Sequence, residues 1–108
     1  MNKEQMKTWY DEHDIFDEIL DELWHSFYDY KRENPARFLD TFPLERDNVN
    51  LDFVKVSHEY TLPDCADEYI SVYVDIYRDD KCVGWFKQIF GLDGSKKNKY
   101  FMIEEEPC

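Results

Sequence analysis

The chain has 108 residues, the size of one domain, and its 13 Lys and Arg stand against 25 Asp and Glu, for a net charge of −12. Such a charge repels nucleic acid and anionic membrane surfaces, and no apolar run approaches the ~20 residues of a membrane-spanning helix, so direct nucleic-acid binding and membrane insertion are set aside. A composition of 43% hydrophobic and 18% aromatic residues places the acidity on a folded object, one acidic domain over residues 1–108, rather than on a solvated tail.

From Met6 to Tyr30 the residues Met6, Trp9, His13, Phe16, Leu20, Leu23, Phe27 and Tyr30 recur at steps of three and four. That spacing predicts one long amphipathic helix of more than twenty residues, beginning near residue 3 if Asn2 and Gln5 cap it or near residue 9 if Thr8 and Asp11 do. Asn34-Pro35 ends it and starts a short second helix from Ala36 to about Phe42, closed by Pro43.

Beyond Asn50 the period changes to two. Leu51–Tyr60 reads as a strand, residues 61–68 as a loop, and Tyr69–Arg78 as the clearest strand, with Ile70, Val72, Val74 and Ile76 on one face. Asp79-Asp80 turns the chain into a strand over Lys81–Phe90. A two-residue turn sets Val83 opposite Ile76, Trp85 opposite Val74 and Ile89 opposite Ile70, with Lys87 opposite Val72 as a misfit. A last strand runs from Tyr100 to Glu105. The expected fold is α+β, with the long N-terminal helix and the short second helix packed on one face of a three- or four-stranded antiparallel sheet. The opposite face then carries Tyr69, Tyr73, Tyr77, Phe86 and Phe90 as an aromatic surface suited to association.

The charge is uneven: residues 1–33 carry four basic and ten acidic side chains, and residues 69–108 carry six and seven. Between Thr8 and Tyr30 there are eight Asp or Glu and no Lys or Arg. On a regular helix Asp11, Asp14, Asp17, Glu18, Asp21, Glu22 and Asp29 fall within an arc of about 140° opposite the apolar stripe. Like charges at these spacings repel by a few tenths of a kcal/mol per pair, and a helix that only had to be soluble would interleave lysines. The row therefore reads as a contact for a basic protein that handles nucleic acid, with carboxylates standing where phosphates would. The plainer alternative is a solubilising face.

Motifs of catalysis are sparse. Glu22-x-x-His25 is one copy of a unit that di-metal bundles use in pairs, and the residue three before His13 is Tyr10, so no metal or other cofactor is implied. His58 with Cys65 or Cys82 has no ordering as nucleophile and base, and residues 91–96 join two strands rather than lead into a helix, unlike a phosphate loop. Three cysteines without close spacing, Cys65, Cys82 and Cys108, fit a reducing cytoplasm, as does the absence of a signal-peptide pattern. No catalytic residue is assigned. The expectation is a non-enzymatic acidic inhibitor, of the DNA-mimic or anti-CRISPR type carried by phages, or an immunity protein for a nuclease toxin. The alternative is a self-associating accessory protein, a homodimer through the aromatic face.

Overall fold

A computed structural model describes residues 1–104, and the expected strand end Glu105 and the cysteine Cys108 lie outside the described residues. Three helices, α1 (Lys3–Glu12), α2 (Ile15–Glu33) and α3 (Pro35–Thr41), precede four strands, β1 (Val49–Tyr60), β2 (Glu68–Arg78), β3 (Lys81–Phe90) and β4 (Lys96–Ile103). The strands form one antiparallel meander in the order β1-β2-β3-β4, and the helices cover one face of it, as the sequence predicts.

The stretch expected as one helix is two. Asn2 and Gln5 make a reciprocal cap, Gln5 N donating to Asn2 Oδ1 at 2.8 Å and Asn2 N to Gln5 Oε1 at 2.9 Å, so the earlier of the two expected starts is the real one. The helix then stops at His13, and Asp14 takes the left-handed conformation, φ 50° and ψ 42°, before α2 begins. The three-and-four spacing is only partly kept across the break: Trp9, Leu23 and Phe27 are buried as the stripe implies, but just after Asp14 the core is filled by Ile15 and Ile19, and Phe16, expected in the stripe, is 48% exposed. The turn at Asp14 rotates α2 relative to α1, which a stripe drawn on one continuous helix does not allow for. The αL residue is an aspartate, one of the few types that visit that region at low cost.

At the other end, Pro35 occupies the first turn of α3, and Arg78 Nη1 donates to the Thr41 and Asp40 carbonyls at 2.9 and 3.3 Å, which closes the helix C-terminus. Phe27, Phe38 and Phe42 meet there with ring centroids 4.8 to 5.5 Å apart, all fully buried. Ile15, Ile19 and Leu23 of α2 lie in the same core cluster as the Ile70, Val72, Val74 and Ile76 row of β2.

β3 has the expected ends but a different register. Arg78 pairs with Lys81 and Tyr77 with Cys82, then Val83 is inserted as a bulge and Ile76 pairs with Gly84. One extra residue turns every later side chain to the other face. Phe86 and Phe90, expected on the outer face, therefore sit opposite Val74 and Ile70 in the core with no exposure. Trp85, Lys87 and Ile89 face outward, and Lys87 sits opposite Tyr73 rather than Val72. A second bulge at Val54 in β1 brings Leu51, Phe53 and Val56 all to the inner face. Gly84 is fixed by this geometry, since a Cβ there would lie 2.2 Å from the Met102 carbonyl oxygen of β4.

Candidate functional site

The acidic row is not uniform once the helices are placed. β4 runs beside α2 and delivers its lysines to it: Lys96 Nζ lies 3.0 Å from Glu18 and 2.9 Å from Glu22, and Lys99 Nζ is 2.9 Å from the other oxygen of Glu22. Hydrogen bonds from Lys96 and Lys99 hold the Glu22 carboxyl below its ordinary range, and the two glutamates raise the Lys96 ammonium in turn. Asp29 is paired with Arg32, and among the described residues Asp21 has only the neighbouring His25, 3.7 Å away. Lys96 and Lys99 of the basic cluster thus serve the acidic helix of their own chain, while Lys97 lies near Asp93.

What remains lies at the α1–α2 elbow. Asp11 and Glu12 end α1, Asp14 forms the turn, and Asp17 lies in the first turn of α2; all four are exposed and, among the described residues, make no ion pair. Asp21 lies one turn further along. Phe16 stands among them with 48% of its surface exposed, its ring centroid 4.8 Å from that of Phe53 on β1. The Tyr10 phenol beneath is raised above its usual value, first by burial and then by the charge of Asp11. Of the seven acids predicted as contacts, Asp11, Asp14 and Asp17 thus lie at the elbow, and Asp21 stands one turn further along α2 beside His25. Glu18, Glu22 and Asp29 lie along α2 with cations of the same chain.

The outer face of the sheet is the second candidate surface. Tyr69, Tyr73 and Tyr77 lie on it, half-buried; Phe86 does not. In its place the face gains Trp85 and Ile89, and from β4 Tyr100 and Met102, which are 47% and 45% exposed. The signal that could have found them was the misplaced Lys87, since a lysine due on a core face asks for a bulge before it. Lys55, Tyr73, Lys87 and Tyr100 are directly paired across the four strands. The Lys55 and Lys87 ammoniums stand over the Tyr73 ring at 4.7 and 5.2 Å from its centroid, and Lys87 also lies 5.9 Å from that of Tyr100. Two lysines, one from each flanking strand, therefore crowd the Tyr73 ring.

His13, His58 and Asp93 have structural engagements, and Cys65 is a free, exposed thiol. His13 caps α1, its Nδ1 donating to the Trp9 carbonyl at 2.9 Å, with Gly94 packed so closely that a Cβ there would lie 2.2 Å from the imidazole. His58 Nε2 donates to Glu68 at 2.8 Å while its Nδ1 accepts from the Met1 amine at 3.0 Å. Asp93 accepts from the Ser95 hydroxyl at 2.6 Å and its N–H at 3.0 Å, which lowers the Asp93 carboxyl and folds the 91–95 loop on itself. Among the described residues no three His, Cys, Asp or Glu side chains converge as a metal site, and no helix is long and apolar enough to cross a membrane. No known family, curated protein or solved structure matches the chain.

Proposed function

We propose that the protein is a non-enzymatic binding protein that docks the acidic α1–α2 elbow onto a basic, nucleic-acid-processing protein and blocks it. The observation that carries this reading is the contrast along one surface. Where lysines of the same chain can reach the acids they pair with them, and at the elbow Asp11, Glu12, Asp14 and Asp17 are left exposed without a cation. Leaving like charges unpaired around a single turn costs local stability, and a basic partner would recover it. The exposed Phe16 supplies an apolar anchor within the charged ring, so that charge speeds the encounter and the ring slows release.

The test compares wild type with Asp11→Lys/Asp17→Lys/Asp21→Lys, leaving Asp14 to keep its turn. Affinity capture at low salt should enrich basic proteins with the wild type only, and moderate salt should release them. An identical set of captured proteins for both chains would refute the elbow, and capture indifferent to salt would refute the electrostatic contact. Competition by duplex DNA separates the two forms of the reading. A DNA mimic is displaced, whereas an immunity protein that binds beside the groove is not.

A further inference from the structure

The outer sheet face is complementary to itself, and we propose that it pairs with the same face of a second copy about a two-fold axis. Two cross-strand rows lie next to each other at its centre. One is Lys55, Tyr73, Lys87, Tyr100; the other is Asp52, Asp75, Trp85, Met102, each read from β1 to β4. Strand alternation sets all eight side chains outward, because Leu51, Phe53, Val74, Ile76, Phe86 and their neighbours take the inner face. The rows are about 7 Å apart along the strands, and among the described residues neither lysine and neither aspartate of these rows forms an ion pair.

Consider a two-fold axis that lies between two stacked sheets, parallel to the rows and midway between them. Rotation keeps the position along a row and exchanges the rows, so the lysine row of one copy lies over the aspartate row of the other. Lys55 then meets Asp52 of the second copy, the Tyr73 phenol meets Asp75, Lys87 meets the Trp85 ring, and Tyr100 meets Met102. These are an ion pair, a charge-assisted hydrogen bond, a cation–π contact and a sulfur–aromatic contact, and the symmetry makes each of them twice. Face-to-face sheets pack about 10 Å apart with their strands turned by about 30°, and rows close to the axis stay overlaid under that twist.

Charge thus selects the occupant. A uniformly basic or uniformly acidic partner would satisfy one row and repel the other, while a second copy satisfies both. The face measures four strands by about eight residues, roughly 500 Å² per copy from strand spacing and rise, at the low end of specific interfaces. The dimer is accordingly a weak one, with a dissociation constant on the order of tens of micromolar. The net charge of −12 on each copy opposes it, and 0.15 M salt, with a Debye length of about 8 Å, screens most of that repulsion.

Sedimentation velocity of the full chain from about 10 to 500 µM in 0.15 M salt tests this. Wild type should shift from monomer to dimer. Lys55→Glu/Lys87→Glu alone and Asp52→Lys/Asp75→Lys alone should each stay monomeric, because each places like charges across the axis. An equimolar mixture of the two variants should regain the dimer, because a mixed pair has opposite charges on both row contacts. Circular dichroism and melting of each variant establish that it is folded, and Lys55→Gln/Lys87→Gln, predicted to weaken the dimer at least fivefold, replaces any variant that is not. A wild type that is monomeric at the highest concentration overturns the proposal. So does a dimer indifferent to these substitutions, or a mixture that fails to restore it. The elbow variant Asp11→Lys/Asp17→Lys/Asp21→Lys should dimerise like wild type, so the two surfaces fail or stand separately.

Discussion

The two faces of one sheet are made from the same strands yet obey different rules. On the inner face Ile70, Val72, Val74, Ile76, Phe86 and Phe90 are buried against the helices, and what matters is volume. On the outer face Tyr73, Lys55, Lys87 and Asp75 stand in a half-wet layer where charge and ring geometry decide. The difference teaches that face identity in this protein is set by single-residue bulges rather than by composition. Without the insertion at Val83, the residues Trp85, Lys87 and Ile89 would be the inner set, and the side chains alone would not have forbidden it.

The largest expected effect breaks the inner face. Phe86→Ala empties a fully buried ring position and should cost about 3–5 kcal/mol in chemical denaturation. Tyr73→Ala, one pairing step away on the outer face, should cost well under half of that. Had β3 kept the expected register, both rings would lie on the outer face and cost about the same, so similar costs would mean that the bulge is not populated in solution.

A smaller effect sharpens the contrast between the paired and unpaired halves of the acidic surface. Glu22 has only 22% of its side chain exposed and binds two lysines, so Glu22→Gln should lower stability by about 1 kcal/mol at neutral pH. Its folded carboxyl is lowered from 4.5, so its contribution is complete above that value and is lost as pH falls through the lower, folded value. The Lys96 ammonium is raised from 10.5, so its share is complete below that value and is lost as pH rises through the higher, folded one. The difference between wild type and variant should therefore hold steady between those limits and close on the acid side. Asp17→Asn, at the unpaired elbow, should change neutral-pH stability by less than about 0.5 kcal/mol, and a cost equal to that of Glu22→Gln would erase the distinction between the halves.

How much of this was readable from the residues follows from what each signal encodes. Strand alternation reports burial on a pleated surface, and the Ile70 to Ile76 row is legible because it alternates without interruption. β3 is not, because Val83, Trp85 and Ile89 form as good an apolar set as Phe86 and Phe90; only Lys87 marked the shift. The row of acids was legible as sequence, but which of its members keep their charge free depends on where β4 lies, a contact between residues more than seventy positions apart. The lysines at 96 and 99 were visible as a cluster and their partner was not. The elbow was hidden for a different reason, because the spacing from Met6 to Tyr30 fits one continuous helix well enough that nothing in it marks the exchange of Phe16 for Ile15 in the core.

The smallest expected effect is also the one whose sign carries the most. In an uninterrupted helix, position 14 would favour alanine over glycine by about 1 kcal/mol, because glycine gives up more backbone entropy. At φ 50° and ψ 42° the preference reverses, since a Cβ in the left-handed region costs about 1 kcal/mol and glycine has none. Asp14→Gly should therefore match or slightly exceed the wild type in thermal melting, and Asp14→Ala should fall below both. Asp14→Asn should lose only a few tenths of a kcal/mol, the value of a negative charge ahead of the α2 N-terminus. If alanine proves the more stable of the pair, α1 and α2 are one helix in solution. Asp11 then swings back into line with Asp21 and Glu22, and the acidic surface becomes a straight row along α2 instead of a corner around Phe16.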